Sequence, residues 1–141
     1  MEQLYYQDVA VGTELPSLTK KPTACHLLMW AGASGDLNPI HWDDEYARRR
    51  GLPGIVVHGQ LAGCYLGQMV TGWMGPQGVL KKLSISYRGL NLPGDTLTCR
   101  GVVTRKYEED GCFCVTAKLF AENPKGEQTL GGTAIVMLPS R

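Results

Sequence analysis

The sequence has no long apolar run, no internal repeat and no excess of either charge. Its apolar stretches, such as AIVML at residues 134–138, are far shorter than the ~20 residues that a membrane-spanning helix needs. The formal net charge is only +1, which offers no electrostatic footprint for nucleic acid or an anionic membrane surface. The sequence therefore predicts neither a membrane protein nor a nucleic-acid-binding protein.

Signals for secretion and for metal binding are also missing. The N-terminal segment MEQLYYQDV is acidic and aromatic, whereas a signal peptide begins with a basic region and continues with an apolar one. We therefore expect a cytoplasmic location. The number of cysteines, five, is odd, and no two of them form a Cys-x-x-Cys motif. Only three histidines are present to complete a metal site. Free thiols and no metal are expected.

No low-complexity tract or Pro/Ser-rich linker divides the 141 residues. Apolar residues make up 43% of the chain and charged residues 19%, which is enough apolar material for one packed core. We therefore expect residues 1–141 to form a single domain.

The first half of the chain predicts three helices. In residues 59–75, apolar side chains recur at three-to-four spacing, and several glycines between them indicate close contact with a sheet or another backbone. Residues 43–50 predict a shorter helix with Asp43 as its cap, acids in its first turn and arginines in its last. Residues 23–34 predict a third helix. Its expected packing residues are Leu27, Leu28, Trp30 and Ala31.

After about residue 78, alternation of apolar and polar side chains predicts strands. The strand-forming stretches are LSISYRGL, TLTCRGVVTRKY, CFCVTAKLFA and QTLGGTAIVML. Pro93–Gly94 and Asp110–Gly111 indicate turns, and the second favours a tight hairpin. Four consecutive strands joined by short turns predict a long antiparallel meander. One long helix against such a curved sheet is an α+β arrangement, and its open edge predicts pairing with a second subunit.

The stretch ASGDLNPIHWDDEYA, residues 33–47, places Asp36 and His41 five positions apart. Pro39 prevents a regular helix and biases Asn38 toward extended backbone, so this loop can turn both side chains toward one point. A carboxylate and a neutral imidazole beside one water can act as base and acid. The same residues also fit a purely structural interpretation, in which Asp36 or Asn38 forms an Asx-type turn and His41 bonds to backbone.

His58 and Gly59 stand where the long helix is expected to begin. Helix N-termini present unpaired amide donors and a positive dipole end, so the Gly59 amide could meet a carbonyl that gains negative charge during a reaction. Alternatively, His58 is a capping or packing residue, and Gly59 only permits close packing.

These residues resemble the hydratase signature of the MaoC-like family, the (R)-specific enoyl-CoA hydratases and dehydratases. The family pattern is an aromatic residue, a short spacer, Gly-Asp-x-Asn-Pro-(aliphatic)-His and a small residue six positions further on. Trp30 stands where the family usually has Tyr or Phe. The matching residues are Gly35, Asp36, Asn38, Pro39, Ile40, His41 and Ala47. The resemblance extends over most of the chain through two further stretches, GLPGIVVHGQL and VLKKLSISYRGLNLPGDTL.

The resemblance implies a hot-dog fold, in which an antiparallel sheet wraps a central helix and active sites lie near subunit interfaces. It implies that Asp36 and His41 bind the water that adds to a trans-2-enoyl thioester to give the (R)-3-hydroxyacyl product, or that leaves in the reverse direction. It also implies that the Gly59 amide stabilises the enolate-like thioester oxygen. Asn38 is expected to hold the loop, to orient the Asp/His pair and to belong to the substrate-binding residues. No metal or redox cofactor is expected, and coenzyme A or an acyl carrier enters as part of the substrate.

Two positions depart from the family pattern in ways that could reshape the acyl tunnel. Gln60 follows the His-Gly pair where relatives often have Met, and Cys64 stands where many have Ser. We therefore expect Cys64 to contact the substrate. Basic residues are candidates for contacts with the phosphates of coenzyme A, although ordinary solvated surface explains them equally well. These are Arg48, Arg49, Arg50, Lys81 and Lys82.

The expected partners are an acyl-CoA substrate and further copies of the chain, in a homodimer or a higher homo-oligomer. A heterodimer with a related hot-dog subunit is the alternative, but the complete Asp/His pair predicts a competent subunit. Two other functions stay open: a hot-dog acyl-CoA thioesterase, and a non-catalytic acyl-binding subunit of a hetero-oligomeric hydratase.

Overall fold

A computed structural model describes residues 2–141, and it contains three α-helices and one five-stranded sheet in this range. The helices are α1 (Ala24–Ser34), α2 (Asp44–Arg49) and α3 (Gly59–Met74). The strands are β1 (Leu18–Lys20), β2 (Val79–Tyr87), β3 (Leu97–Glu109), β4 (Cys112–Glu122) and β5 (Gln128–Met137). Single 3-10 turns lie at Tyr6–Asp8 and Pro39–His41.

The sheet is antiparallel throughout, in the order β1-β3-β4-β5-β2. Helix α3 contacts all five strands, so the sheet curls around it. This arrangement is the hot-dog fold, and it confirms the α+β prediction. Within residues 2–141, no helix has the length and apolar character that crossing a membrane requires.

The core lies between α3 and the concave face of the sheet. Leu61, Ala62, Leu66, Met69 and Val70 of α3 are buried there. Most of the apolar faces predicted for β3 and β4 are buried against them, whereas Leu83 and Ile85 of β2 are half-buried. Burial of each large aliphatic side chain stabilises the fold by roughly 1.5–3 kcal/mol. The buried strand residues include Leu97, Cys99, Val103, Val115, Ala117, Leu119 and Ala121.

The turn between β3 and β4 is the tight hairpin that Asp110–Gly111 predicts. Both residues have positive φ, 51° for Asp110 and 73° for Gly111, and Glu109 pairs with Cys112 on either side. Two consecutive positive φ angles are the mark of a type I′ turn, whose twist matches that of the paired strands.

The predicted four-strand meander is wrong in one respect: β2 pairs with β5 and does not neighbour β3. Pro93 and Gly94 do form a turn, but the segment around it is tied to other parts of the chain. The Gly94 amide donates to the Pro22 carbonyl (2.7 Å), and the Asn91 carbonyl accepts from the Val57 amide (2.8 Å). The connection therefore crosses from one edge of the sheet toward the other.

Two smaller expectations also fail. Strand β1 was not predicted, because three residues are too few for an alternating pattern to show. In α1, Leu27 and Ala31 are buried as expected and Trp30 is half-buried, but Leu28 is 59% exposed. Leu27, Trp30 and Ala31 form the side of α1 that packs against protein, and Leu28 lies outside it.

Three glycines of α3 receive the side chains of β2, as the sequence predicts for a helix in close contact with a sheet. A Cβ on Gly59 would lie 3.0 Å from the ring of Tyr87, and one on Gly67 would lie 3.3 Å from Leu83. Between them, Gly63 faces both Tyr87 and Ile85. The absence of side chains at these positions is what lets the helix approach the strand.

A glycine in β5 permits the pairing with β2 and provides a test of it. A Cβ at Gly132 would lie 2.4 Å from the backbone carbonyl oxygen of Ser84, where no side-chain movement can relieve the clash. We expect Gly132→Ala to destabilise the fold by about 2 kcal/mol or more. Urea unfolding followed by circular dichroism measures this.

The matched control is Gly72→Ala in α3, where a Cβ meets nothing within 4 Å. Because alanine is the better helix former, this variant should be more stable than the wild type by about 0.5–1 kcal/mol. Equal stability of the two variants would contradict the β2–β5 pairing.

Candidate active site

The loop after α1 holds the carboxylate of Asp36 through a series of local hydrogen bonds. Gly35 ends α1 with φ 76°, a left-handed conformation that favours glycine. The Asn38 amide donates to Oδ1 of Asp36 (3.3 Å), and Oδ1 of Asn38 accepts from the Ile40 amide (3.3 Å). These are the Asx-type turns that the purely structural interpretation of the sequence predicts. They use Oδ1 of Asp36 and leave its Oδ2 free of the turn. The side chain of Asn38 thus helps to hold the loop, and its expected role in substrate binding stays a prediction.

His41 is held by the backbone of Val56. Its side chain is largely buried, and Nδ1 lies 2.7 Å from the Val56 carbonyl oxygen. Because a carbonyl only accepts, Nδ1 carries a hydrogen, and Nε2 of the neutral ring presents a lone pair. The Val56 amide donates in turn to the Ile40 carbonyl (3.0 Å), so the same residue fixes both the ring and its loop.

The predicted pair is brought together in the structure. Nε2 of His41 lies 3.6 Å from Oδ2 of Asp36, and the Asp36 side chain is 42% exposed. This separation is too long for a direct hydrogen bond, and the neutral ring and the ionised carboxylate are both acceptors. One water oxygen can lie ~2.8 Å from each of them and donate a hydrogen to each. The two groups can therefore hold one water between them.

His58 contacts both members of the pair, a placement that sequence reasoning missed. Its ring stacks on that of His41 with centroids 3.7 Å apart and 19° between the planes. Its Nε2 lies 3.3 Å from the backbone carbonyl oxygen of Asp36, and its side chain does not cap α3. The Nδ1 of His58 is buried and has no hydrogen-bond partner among residues 2–141. The signal available in the sequence was its position next to Gly59.

Burial and the neighbouring His41 lower the pKa of His58 below its ordinary value of 6.5, and the carbonyl and charge of Asp36 offset only part of that effect. A neutral ring agrees with the geometry. The carbonyl of Asp36 requires a hydrogen on Nε2, so Nδ1 is the unprotonated atom of the neutral imidazole.

Gly59 is the first residue of α3. The first amides of a helix lack intrahelical partners and lie at the positive end of the helix dipole. Its amide nitrogen is bonded directly to the carbonyl carbon of His58. The ring of Tyr87, 55% exposed, covers the Cα of Gly59. Sequence reasoning did not place Tyr87 at the site, although its alternation with Leu83 and Ile85 put it on the helix-facing side of β2.

A metal ion fits this cluster poorly. Asp36, His41 and His58 offer ligand atoms within 4.8 Å of one another. However, the lone pair of an imidazole nitrogen lies in the ring plane, and metal ligands must point at one centre. The lone pairs of the stacked His41 and His58 rings lie in two nearly parallel planes with ring centroids 3.7 Å apart, so they do not readily converge on one centre. The absence of a metal stays a prediction that this geometry favours.

Cys64 is not brought to the same place as the pair. It is exposed on α3, and five residues of helix turn it about 140° away from Gly59. Its expected contact with substrate stays a prediction. All five cysteines carry free thiols, and burial raises the pKa of Cys99 to about 11.

The arginines of α2 have partners within the helix. Arg48 donates to Asp44 (2.6 Å), Arg49 lies 3.4 Å from Glu45, and Arg50 donates to the hydroxyl of Tyr46 (2.8 Å). Lys81 and Lys82 are exposed on β2. Nothing in these contacts favours a phosphate site over solvated surface, and the predicted contact with coenzyme A stays a prediction.

Comparison with known proteins gives consistent matches. Residues 10–123 match the family model of the MaoC like domain. The (R)-specific enoyl-CoA hydratase of Rhodospirillum rubrum is 27% identical over 97% of this chain and 93% of its own. The R-hydratase PhaJ1 of Pseudomonas aeruginosa superposes with a TM-score of 0.88 at 25% identity, over 99% of this chain and 88% of that one. A chain of the ChsH1–ChsH2 complex of Mycobacterium tuberculosis superposes with a TM-score of 0.80 at 26% identity, over 92% and 98%.

The buried neutral state of His58 predicts how stability depends on pH. Because the folded-state pKa of His58 is lowered, the unfolded chain binds a proton first as the pH falls through about 6.5. The free energy of unfolding should therefore decrease as the pH falls from about 7.5 toward about 5. In His58→Phe this contribution should be missing, so that its curve is flatter. Urea unfolding of both proteins at a series of pH values measures the difference, and parallel curves would contradict the neutral buried ring.

Proposed function

Because this chain belongs to the family of MaoC-like domains, we propose that it is an (R)-specific enoyl-CoA hydratase that uses Asp36 and His41 to position water. The observation that carries the proposal is the 3.6 Å separation of Oδ2 of Asp36 and Nε2 of His41, with the His41 ring fixed through Nδ1 on Val56. Two fixed acceptors at this separation suit a single water molecule. We also propose that residues 1–141 form one domain, which contains both Asp36 and His41.

In the proposed reaction, water adds across the double bond of a trans-2-enoyl thioester. The water loses one proton to a member of the pair while its oxygen bonds to C3. The electron pair of the double bond moves toward the thioester carbonyl, and C2 then receives a proton. Because both members of the pair start as acceptors, this proton is the one taken from the water, and the pair delivers it to C2. Acid–base groups of this kind typically contribute 10²–10⁴-fold to rate. The geometry does not divide the roles of Asp36 and His41.

The developing negative charge on the thioester oxygen needs a donor, and we assign this role to the Gly59 amide. The assignment is supported by the position of Gly59 as the first residue of α3, a helix of 16 residues. Amides in the first turn of a helix have no intrahelical partner, and the helix dipole there favours an anion. Water addition beside a carbonyl needs only acid–base groups and such a donor. We therefore propose that the enzyme uses no cofactor apart from the coenzyme A or acyl carrier of its substrate.

We further propose that the working form is a homo-oligomer of competent subunits. Strand β2 lies at the end of the sheet order, so its outer edge has no partner strand within residues 2–141. The alternative is a hetero-oligomer with a related subunit, and the similarity of this chain to a chain of the ChsH1–ChsH2 complex supports it. The mass of the purified assembly in solution, together with its subunit composition, separates the two.

The direct test of the dyad is substitution of each member. Asp36→Asn and His41→Ala should each lower kcat/KM for crotonyl-CoA by about 10²-fold or more, because each removes an acid–base group and His41→Ala also removes a contact to water. Loss of enoyl absorbance measures the reaction, and a parallel assay of free thiol detects any thioester cleavage.

The matched controls make the same chemical changes at exposed positions. They are Asp95→Asn in the loop before β3 and His26→Ala in α1, and both should retain wild-type rates. Full activity of the dyad variants would refute the proposed mechanism. Thiol release without loss of the double bond in the wild type would instead indicate a thioesterase.

A second test concerns the Gly59 amide. Gly59→Ala keeps the N–H but places a methyl group 3.0 Å from the ring of Tyr87, so either that ring or the start of α3 must give by a few tenths of an ångström. We expect kcat to fall by about tenfold or more, since a displacement of ~1 Å at a reacting centre can cost 10²-fold. The double variant Gly59→Ala/Tyr87→Ala relieves the clash and should regain part of the loss. Gly67→Ala, whose methyl group would meet only the flexible end of Leu83, is the control, and an equal loss of kcat there would contradict a special role for Gly59.

A further inference from the structure

We propose that His58 is a positioning residue: its neutral imidazole, protonated on Nε2, fixes the ring plane of His41 and the backbone of Asp36. The inference rests on the proposed function, because it assigns a role within the same site. His58 would not contact the reacting atoms, and it would act only through the two residues that do.

The contacts of His58 join the parts of the candidate site. Its ring face lies against His41, its Nε2–H reaches the carbonyl of Asp36, and its own carbonyl accepts from the Ala62 amide in the first turn of α3. One residue thus connects the imidazole, the carboxylate loop and the helix start. At 1% exposure it is surrounded by protein, so these contacts are held by packing.

A stacked ring supplies a constraint that the hydrogen bond to Val56 lacks. That bond fixes one atom of the His41 ring, and rocking about it would tilt Nε2 away from the water. The Nε2 lone pair lies in the ring plane, so a parallel ring at 3.7 Å limits this motion. The titratable groups that face His58 are His41 and Asp36. A charge on His58 would oppose proton uptake by His41, and the role therefore requires the neutral ring.

The unpaired Nδ1 of His58 separates this role from simple packing. A buried acceptor without a partner destabilises the fold, so packing alone does not account for a histidine at this position. Such losses of stability are expected where a residue is needed for activity.

The test uses two variants that each keep one contact. His58→Phe keeps the stacked ring and loses the hydrogen bond, while His58→Gln keeps an N–H donor and loses the ring. We expect kcat for crotonyl-CoA to fall by about tenfold in at least one of them, with KM within about twofold of the wild type. A loss confined to His58→Gln assigns the effect to stacking, and one confined to His58→Phe assigns it to the hydrogen bond. His26→Phe and His26→Gln, at an exposed position of α1, are the controls and should leave kcat unchanged.

Two results would overturn the proposal. One is a kcat within about twofold of the wild type in both variants, even if they unfold more easily, because that describes a packing residue. The other is a ¹⁵N NMR spectrum of the wild type near neutral pH that shows the hydrogen of His58 on Nδ1, or a charged ring. The spectrum requires no turnover, so it tests His58 even if the wild type fails to hydrate enoyl-CoA and the proposed function fails.

Discussion

The hydrogen bond from Nδ1 of His41 to the carbonyl of Val56 is the interaction on which the candidate site depends. At 2.7 Å, it decides which ring nitrogen carries the hydrogen and therefore which one faces Asp36. With the opposite tautomer, an N–H would point at the carboxylate and bond to it directly. The observed arrangement leaves two acceptors 3.6 Å apart, which neither bond to each other nor find another donor in the loop. A water molecule with two hydrogens suits that space.

The scaffold supports this bond from both sides. Val56 is tied to the loop of His41 through Ile40, and the next residue, Val57, is tied to Asn91. Asn91 is itself buried, and its Oδ1 accepts from the Thr129 hydroxyl (2.9 Å), so the segment before α3 is anchored to β5. Helix α3 is then fixed by the glycines that receive the side chains of β2. The sheet, the central helix and the short segment between them thus determine where the His41 ring lies, whereas Asp36 remains half open to solvent.

The sequence predicted those features whose signals are local. Four such features depend on neighbouring residues and are present in the structure. They are the Asp110–Gly111 hairpin, the cap of Asp43 on α2, the span of α3 and the approach of Asp36 to His41. The pairing of β2 with β5 could not be predicted in the same way, because it joins residues far apart in the chain, from Tyr87 with Leu130 to Val79 with Met137. The stacking of His58 on His41 also depends on tertiary structure, since no periodicity or spacing indicates that two loops will place their rings face to face. Proximity to Gly59 was the only hint.

The central claim is that Asp36 and His41 act on one shared water, and a double-mutant cycle tests it most directly. The measured quantity is kcat/KM for crotonyl-CoA in the wild type, Asp36→Asn, His41→Ala and the double variant. If both residues hold the same water, the first substitution already removes it, and the double variant should be no more than a few-fold slower than the slower single variant. Losses that multiply, so that the double variant falls by the product of the two single effects, would show that the residues act independently and would contradict the shared water.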